Sequence, residues 1–151
     1  MRERDGVFAV VQGDPIELSP VRAWVSDPAA GAVVLFEGTT RAGPGDGAVE
    51  RLEYEAYVEM AEQVLVELGA AARARWGLCK VALLHRTGAV AVSEVSVLVA
   101  LSAPHRAEAY AASAWLMDRL KAEAPVWKRE HTSGGARWVA NTPPRAPVEQ
   151  T

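Results

Sequence analysis

Several short, strand-like runs lie close together in this sequence, and the brevity of the segments between them most constrains the fold. The runs at 80–85 and 95–101 are β-branched and apolar, and the segment between them is too short for a crossover helix. Parallel neighbours need a connection of about a dozen residues or more, whereas antiparallel neighbours need only a turn. The sequence therefore predicts an α+β fold with largely antiparallel pairing.

Two long helices and one short one accompany these strands. Apolar residues recur at helical spacing from 60 to 76, and Gly77 can close that helix. A second long helix is predicted to begin at Pro104 and to stop near Ala124, because Pro125 removes a backbone donor and restricts the residue before it. A short helix is predicted to start at Ser19-Pro20.

The remaining apolar or alternating runs predict further strands at 8–11, 31–38, 49–57, 126–132 and 136–140. The predicted order is β-α-β-β-α-β-β-α-β-β. A chain of 151 residues suits one domain, placed at 1–140. Three prolines in the last eleven residues predict a loose tail at 141–151.

Charge and composition exclude several classes of protein. The net charge of -3 argues against a broad nucleic-acid surface, and no run approaches the roughly 18 apolar residues of a membrane span. The N-terminal residues lack the apolar core of a signal peptide. Cys79 is the single cysteine, and no metal-ligand cluster surrounds it. We expect a soluble, cytoplasmic protein without disulfide, metal or bound cofactor.

The stretch SAPHRAEAY suggests a small-anion site. It places His105 and Arg106 in the first turn of the predicted helix, where free amide groups already create positive potential. A bound phosphate would make that arrangement favourable. Alternatively, Arg106 pairs with a carboxylate such as Glu108 or Glu123, and the sequence does not separate the two interpretations.

The stretch LKAEAPVWKRE places two lysines on either side of Pro125. Lys121 ends the helix, while Lys128 shares a strand face with Glu130, whose carboxylate can hold the ammonium in position. Both amines can approach one pocket. The alternatives are a lysine that stabilises the helix dipole and a lysine on a solvated strand face.

A glycine-rich loop follows the predicted strand that contains Phe36. This loop, FEGTTRAGPGDG, can present Arg41 into a cleft, although most arginines in such loops are solvated. Cys79 is interpreted as a small strand residue, and His85 and His131 receive no role because their spacing does not indicate a metal site.

Five motifs in this order, FEGTTR, LEYEAY with the nearby MAE, HRTG, SAPHRAEA and LKAEAPVWKRE, resemble the large, catalytic subunit of molybdopterin synthase. The resemblance covers about 31–139. It implies an α/β hammerhead fold and a homodimer with a small ubiquitin-like subunit at each end, which makes a heterotetramer. It also implies that sulfur passes from a thiocarboxylate on the small subunit's C-terminal Gly-Gly to cyclic pyranopterin monophosphate (precursor Z), and that two rounds form the dithiolene of molybdopterin.

The resemblance also implies roles for individual residues. The catalytic residues would be Lys121 and Lys128. The residues that bind the anionic substrate or line its pocket would be Arg41, His105, Arg106, Phe36, Met117, Glu130 and Arg137. Two other functions are open to these residues: Lys128 as a Schiff-base nucleophile toward a phosphorylated carbonyl compound, or a non-catalytic domain that binds a phosphorylated ligand.

Overall fold

The fold consists of two sheets and three helices in a computed structural model that describes residues 1–43 and 48–139. In chain order the elements are β1 (Arg2–Arg4), β2 (Val7–Gln12), α1 (Leu18–Trp24), β3 (Ala32–Thr39), β4 (Arg51–Ala56), α2 (Val58–Trp76), β5 (Lys80–Arg86), β6 (Gly88–Ala91), β7 (Val95–Ala103), α3 (Arg106–Glu123), β8 (Val126–Thr132) and β9 (Gly135–Trp138). The first sheet has the order β1-β2-β5-β7-β3, and the second has the order β6-β4-β8-β9.

The first sheet carries helices on both of its faces, which explains why its central strands are continuously apolar. Leu83 and Leu101 are fully buried in a cluster with Leu65 of α2 and Leu116 of α3. The alternate residues of the same strands belong to a second cluster, with Val21 and Val25 at α1. Only β2 and β5 pair in parallel, so the predicted antiparallel preference is confirmed for the other strand pairs of the described chain.

The second sheet follows the period-two pattern of its sequence. On one face, Leu52, Tyr54 and Val90 form a small buried cluster against Val126. On the other face, Glu53 accepts a hydrogen bond from Arg129 and lies 3.2 Å from the His131 ring nitrogen Nε2. The apolar face carries Lys128 as well, because Lys128 lies directly opposite Tyr54.

Most predicted elements are present, with three differences. The charged strand β1 and the four-residue strand β6 are additional to the prediction. The second long helix begins at Arg106 instead of Pro104, so His105 precedes its first turn as an extended residue. Gly77 closes α2 in the left-handed conformation, as predicted. The glycine-rich loop at 44–47 and the predicted tail at 141–151 lie outside the described residues.

Leu65→Ala is expected to lower the free energy of unfolding by about 2–5 kcal/mol, because it leaves a cavity among fully buried neighbours. Glu67→Ala on the same helix is the matched control. Glu67 is exposed and accepts a 2.7 Å hydrogen bond from Gln63, so we expect a change within about 0.5 kcal/mol. Urea unfolding of both variants checks this, and equal losses would contradict the core assignment.

Candidate active site

Pro125 forms the predicted corner between the two lysines. Ala124 has extended backbone angles (φ -68, ψ 131) and its N–H still donates to the Leu120 carbonyl at 3.0 Å, so the helix ends one residue before the proline. Lys121 is exposed in the last turn of α3, and Lys128 is half-buried in β8. The positive charge of Lys121 lowers the pKa of Lys128.

Lys128 lies in an environment that disfavours its protonated form. Burial lowers the pKa of Lys128, and the positive charges of Lys121 and Arg41 lower it further, whereas Glu130 raises it. Tyr54, directly opposite Lys128 on β4, is itself buried, and its ring meets the His85 ring edge-on at 4.9 Å. The local surroundings therefore favour a neutral amine at Lys128 more than water does.

Glu130 lies beside Lys128, as the strand spacing predicts, but its carboxylate binds a different cation. Arg137 on β9 lies directly across from Glu130, and its Nε and Nη2 donate to Glu130 Oε2 at 3.1 and 2.9 Å. Within residues 1–43 and 48–139, Lys128 forms no ion pair. In this structure the carboxylate of Glu130 therefore forms its ion pair with Arg137 and not with the ammonium of Lys128.

An open cleft of about 230 Å³ adjoins this ion pair, and Arg41, Glu130 and Arg137 supply its charged walls. Its other described walls are Ala42, Gly43, Ala48 and Val49. Small-molecule sites in proteins have volumes of roughly 300–1,000 Å³, so this cleft is small for a complete substrate pocket.

The predicted anion-binding residues lie elsewhere. His105 is the residue before α3 and Arg106 is its first residue, and both side chains are exposed. Fifteen residues separate Arg106 from Lys121 along the same helix, which corresponds to about 22 Å at the helical rise of about 1.5 Å per residue. The structure thus brings Arg41, Lys121, Lys128, Glu130 and Arg137 together, but it does not bring His105 or Arg106 to them within one chain.

Neither Glu108 nor Glu123, the carboxylates predicted as alternative partners of Arg106, forms an ion pair with it in the described structure. Glu123 accepts a hydrogen bond from Arg119, one turn earlier on α3. Glu108 has a buried carboxylate oxygen without a hydrogen-bond partner in the described structure. Arg106 forms no ion pair among the described residues, so its guanidinium is available to an external anion.

Two predicted pocket residues differ in exposure. Phe36 lies on the edge strand β3 and is 41% exposed. Met117 lies one helical turn before Lys121 and packs partly buried against the main core.

Tyr54 and His85 are the residues near Lys128 that sequence reasoning missed. His85 is buried at the end of β5, and its Nδ1 lies 2.8 Å from the Arg86 carbonyl, to which it can donate. Burial lowers the pKa of His85 to about 4, and Lys128 lowers it as well. The alternation of LEYEAY places Tyr54 on an apolar face. That Tyr54 lies opposite Lys128, with the His85 ring packed against it, follows only from the arrangement of β4, β5 and β8 in the structure.

His85 gives a testable pH dependence. The unfolded chain binds a proton at this histidine near pH 6.5, whereas the folded chain binds it only near pH 4. The unfolding free energy should therefore fall, by up to about 3 kcal/mol, as the pH decreases through this window. Urea unfolding of wild type and His85→Gln at pH 7.5 and pH 4.5 checks this. Between these two pH values the unfolding free energy of wild type should fall more than that of His85→Gln. An equal fall in both proteins would contradict the lowered pKa of His85.

Cys79 does not belong to this site. It directly precedes β5, at the opposite end of that strand from His85, and burial followed by the charge of Asp27 raises the pKa of its thiol. A raised pKa disfavours the thiolate, which is the reactive form. The described residues also include no group of three or more side chains suited to a metal ion, and no helix long and apolar enough to cross a membrane.

Comparison with known proteins gives a consistent family. The model of the MoaE protein family matches residues 11–123. The chain is similar to the molybdopterin synthase catalytic subunit of Cereibacter sphaeroides, with 44% identity over 87% of this chain and 90% of the relative. It is also similar to the subunit of that name from Staphylococcus carnosus, with 39% identity over 85% of each chain.

Solved structures agree with the sequence comparison. The crystal structure of molybdopterin synthase from Staphylococcus aureus superposes with a TM-score of 0.83 at 35% identity, over 87% of this chain and 96% of that one. A complex of subunits 1 and 2 of molybdopterin-converting factor from Helicobacter pylori has a TM-score of 0.71 at 16% identity, over 91% of this chain and 92% of that one, and so supports the fold alone. By its family model, its relatives and its fold, this chain belongs to the MoaE family.

Proposed function

We propose that this chain is a catalytic subunit of molybdopterin synthase, which transfers sulfur from the thiocarboxylated C-terminus of a small ubiquitin-like subunit to cyclic pyranopterin monophosphate. The observation that carries the proposal is the half-buried Lys128, with Lys121 and Arg41 beside it. The single cysteine lies outside that site, so the sulfur is best supplied by a partner. The names of the relatives in the MoaE family support the same reaction.

The proposed chemistry requires no redox step. In each round a bond forms between sulfur and a side-chain carbon of the pterin, and the bond between sulfur and the acyl carbon breaks. The pterin carbon gives up a bond to oxygen: in one round this opens the cyclic phosphate to a phosphate monoester, and in the other the oxygen leaves as water. The oxygen of water replaces sulfur on the acyl group, so the small subunit leaves with an ordinary carboxylate. Two rounds supply the two sulfurs of the dithiolene. Negative charge develops on the acyl oxygen when its carbon is attacked, and a nearby cation stabilises it.

The different surroundings of the two lysines suggest different roles. Lys128 has a lowered pKa, which suits a group that accepts and returns a proton. Lys121 is exposed at the end of α3, and we assign it the stabilisation of the acyl oxyanion. Arg41, on the wall of the cleft, would attract the negatively charged substrate.

We further propose that a second copy of this chain completes the site. His105 and Arg106 are too far from Lys121 to contact the same small substrate, because about 22 Å of helix separates them. A homodimer can bring the first turn of α3 from one copy to the lysines of the other. One small subunit at each of the two sites would then give a heterotetramer, which we place in the cytoplasm.

Reconstitution tests the proposed function. The chain is mixed with thiocarboxylated small subunit and precursor Z, and molybdopterin is measured after conversion to a fluorescent derivative. We expect product with the thiocarboxylate and none with the same subunit carrying an ordinary carboxylate. Failure of the first mixture, while a characterised MoaE protein makes product in parallel, would contradict the assignment.

The lowered pKa of Lys128 also suits a second function, Schiff-base chemistry with a phosphorylated carbonyl compound. That reaction forms an imine between Lys128 and the substrate carbon. Borohydride reduces an imine to a stable amine, so mass spectrometry of the treated protein would find substrate mass on Lys128. The probe in this experiment is precursor Z. If the chain catalyses sulfur transfer, we expect no adduct of precursor Z on Lys128.

A further inference from the structure

Among the described residues, the titratable groups that face Lys128 come from five parts of the chain, and Glu130 is the one carboxylate among them. Tyr54 on β4 and His85 on β5 are uncharged at neutral pH, because burial raises the pKa of Tyr54 and lowers that of His85 to about 4. The charged neighbours are Lys121 on α3, Arg41 after β3, and Glu130 on β8 itself. The proton affinity of Lys128 therefore depends on where the carboxylate of Glu130 points.

Strand geometry would allow Glu130 to pair with Lys128. Residues two apart on one strand share a face and lie about 7 Å apart at Cα, a distance that a lysine and a glutamate side chain readily span. Such a pair would stabilise the ammonium and raise the pKa of Lys128. Its absence among the described residues requires a competing partner for the carboxylate.

Arg137 is that competitor. It lies directly across from Glu130 in the pairing of β8 with β9, and two of its N–H groups donate to the same carboxylate oxygen, at 3.1 and 2.9 Å. The side chain of Glu130 is 22% exposed and that of Arg137 is 70% exposed, so the pair lies at the rim of the cleft. A planar guanidinium presents several donors to a carboxylate at once, which a single lysine ammonium does not match in geometry.

We propose that Arg137 is a positioning residue, which binds the carboxylate of Glu130 and thereby prevents it from forming an ion pair with Lys128. The inference rests on the proposed function only in giving Lys128 a role in proton transfer. Its physical content is that the Arg137–Glu130 pair leaves the amine of Lys128 without an ion-pair partner in the part of the chain that the structure describes. Without Arg137, Glu130 turns to Lys128, and less of the neutral amine is present at pH 7.

The direct test measures the pKa of Lys128 in the full-length chain without partner or substrate. Acetic anhydride labels only the neutral amine, so the yield of acetylated Lys128 against pH, measured by mass spectrometry, gives its midpoint. We expect Arg137→Ala to raise this midpoint by about one pH unit. The same substitution in a Glu130→Gln background should leave the midpoint nearly unchanged, because no carboxylate remains to be released.

Two further variants keep this test decisive. Arg51→Ala removes a cation from the opposite face of the same sheet, where Arg51 contacts His131 at 3.3 Å, and it should not move the midpoint. Arg137→Gln keeps a long polar side chain and should behave like Arg137→Ala, provided urea unfolding shows both folded. Either of two results would overturn the proposal. One is a Lys128 midpoint that Arg137→Ala leaves unchanged, and the other is a rise of the midpoint by Arg137→Ala that is equally large in the Glu130→Gln background.

An activity measurement separates this inference from the proposed function. In the reconstituted synthase, the rise of kcat with pH should move to higher pH in Arg137→Ala and return toward wild type in Arg137→Ala/Glu130→Gln. If wild type makes no molybdopterin, the proposed function fails and the labelling result still decides the inference. If wild type is active and the labelling midpoint does not respond to Arg137, the inference alone fails.

Discussion

Lys128→Ala is expected to lower the rate of sulfur transfer at least tenfold, which corresponds to about 1.4 kcal/mol of barrier. The reason is that alanine removes the half-buried amine whose pKa is lowered by burial and by Lys121, and no other described lysine replaces it at this position. Lys121→Ala should have an effect of the same size, because it removes the cation proposed to stabilise the acyl oxyanion. Single-turnover formation of molybdopterin, with both substrates saturating, measures the two effects.

Lys80→Ala is the matched control for these variants. Lys80 lies at the start of β5, where its Nζ donates to the Ser26 carbonyl at 3.2 Å and lies 5.6 Å from the centre of the Trp24 ring. That end of the strand is remote from His85 and Lys128, so we expect near-normal turnover. Near-normal turnover in both Lys121→Ala and Lys128→Ala would contradict the proposed roles of the two lysines.

Mixing two inactive variants is expected to restore activity if the site is shared between copies. Arg106→Ala removes the proposed anion contact from one copy, and Lys128→Ala removes the amine from the other. In a mixed dimer one site carries both changes and the other carries neither. Random exchange of equal amounts should therefore recover about a quarter of the wild-type sites. Molybdopterin formation by co-expressed, differently tagged chains measures this recovery.

The control for this experiment uses two variants of the same pocket. Lys121 and Lys128 lie near each other in one chain, so every site of a Lys121→Ala/Lys128→Ala mixed dimer lacks one lysine and should stay inactive. Recovery in that control, or no recovery with Arg106→Ala, would contradict a site shared in the proposed way. A clear monomer in solution would contradict it as well.

The parts of the fold that follow local rules were predictable. Pro125 ends α3 and starts β8, and Gly77 closes α2, because both effects depend on the backbone of single residues. The strand β1, with sequence RER, was missed because it is short and charged and pairs with β2 alone. The strand β6 was missed because GAVA is too brief to show a period.

The site was predictable only in part. The position of Pro125 between Lys121 and Lys128 predicts that two amines from different elements approach one place, and in the structure the charge of Lys121 lowers the pKa of Lys128. The ion pair between Glu130 and Arg137 depends on the register in which β8 pairs with β9. No pattern within either strand's sequence predicts that register. The approximate 22 Å between Arg106 and Lys121 follows from the helix length, so the separation of the proposed anion site was readable once both ends of α3 were placed.

The chemistry of sulfur transfer came from the motifs shared with a family, because spacing and periodicity place side chains without naming a substrate. A half-buried lysine with a lowered pKa suits proton transfer, oxyanion stabilisation or imine formation equally well.

The most direct test follows the sulfur atoms themselves. The small subunit is prepared with a heavy-isotope thiocarboxylate and mixed with this chain and precursor Z, and the molybdopterin formed is weighed by mass spectrometry. We expect two labelled sulfurs in each product molecule, with two molecules of the small subunit converted to the ordinary carboxylate. Product without label, or no product while a characterised MoaE protein incorporates both sulfurs in parallel, would contradict the proposed function.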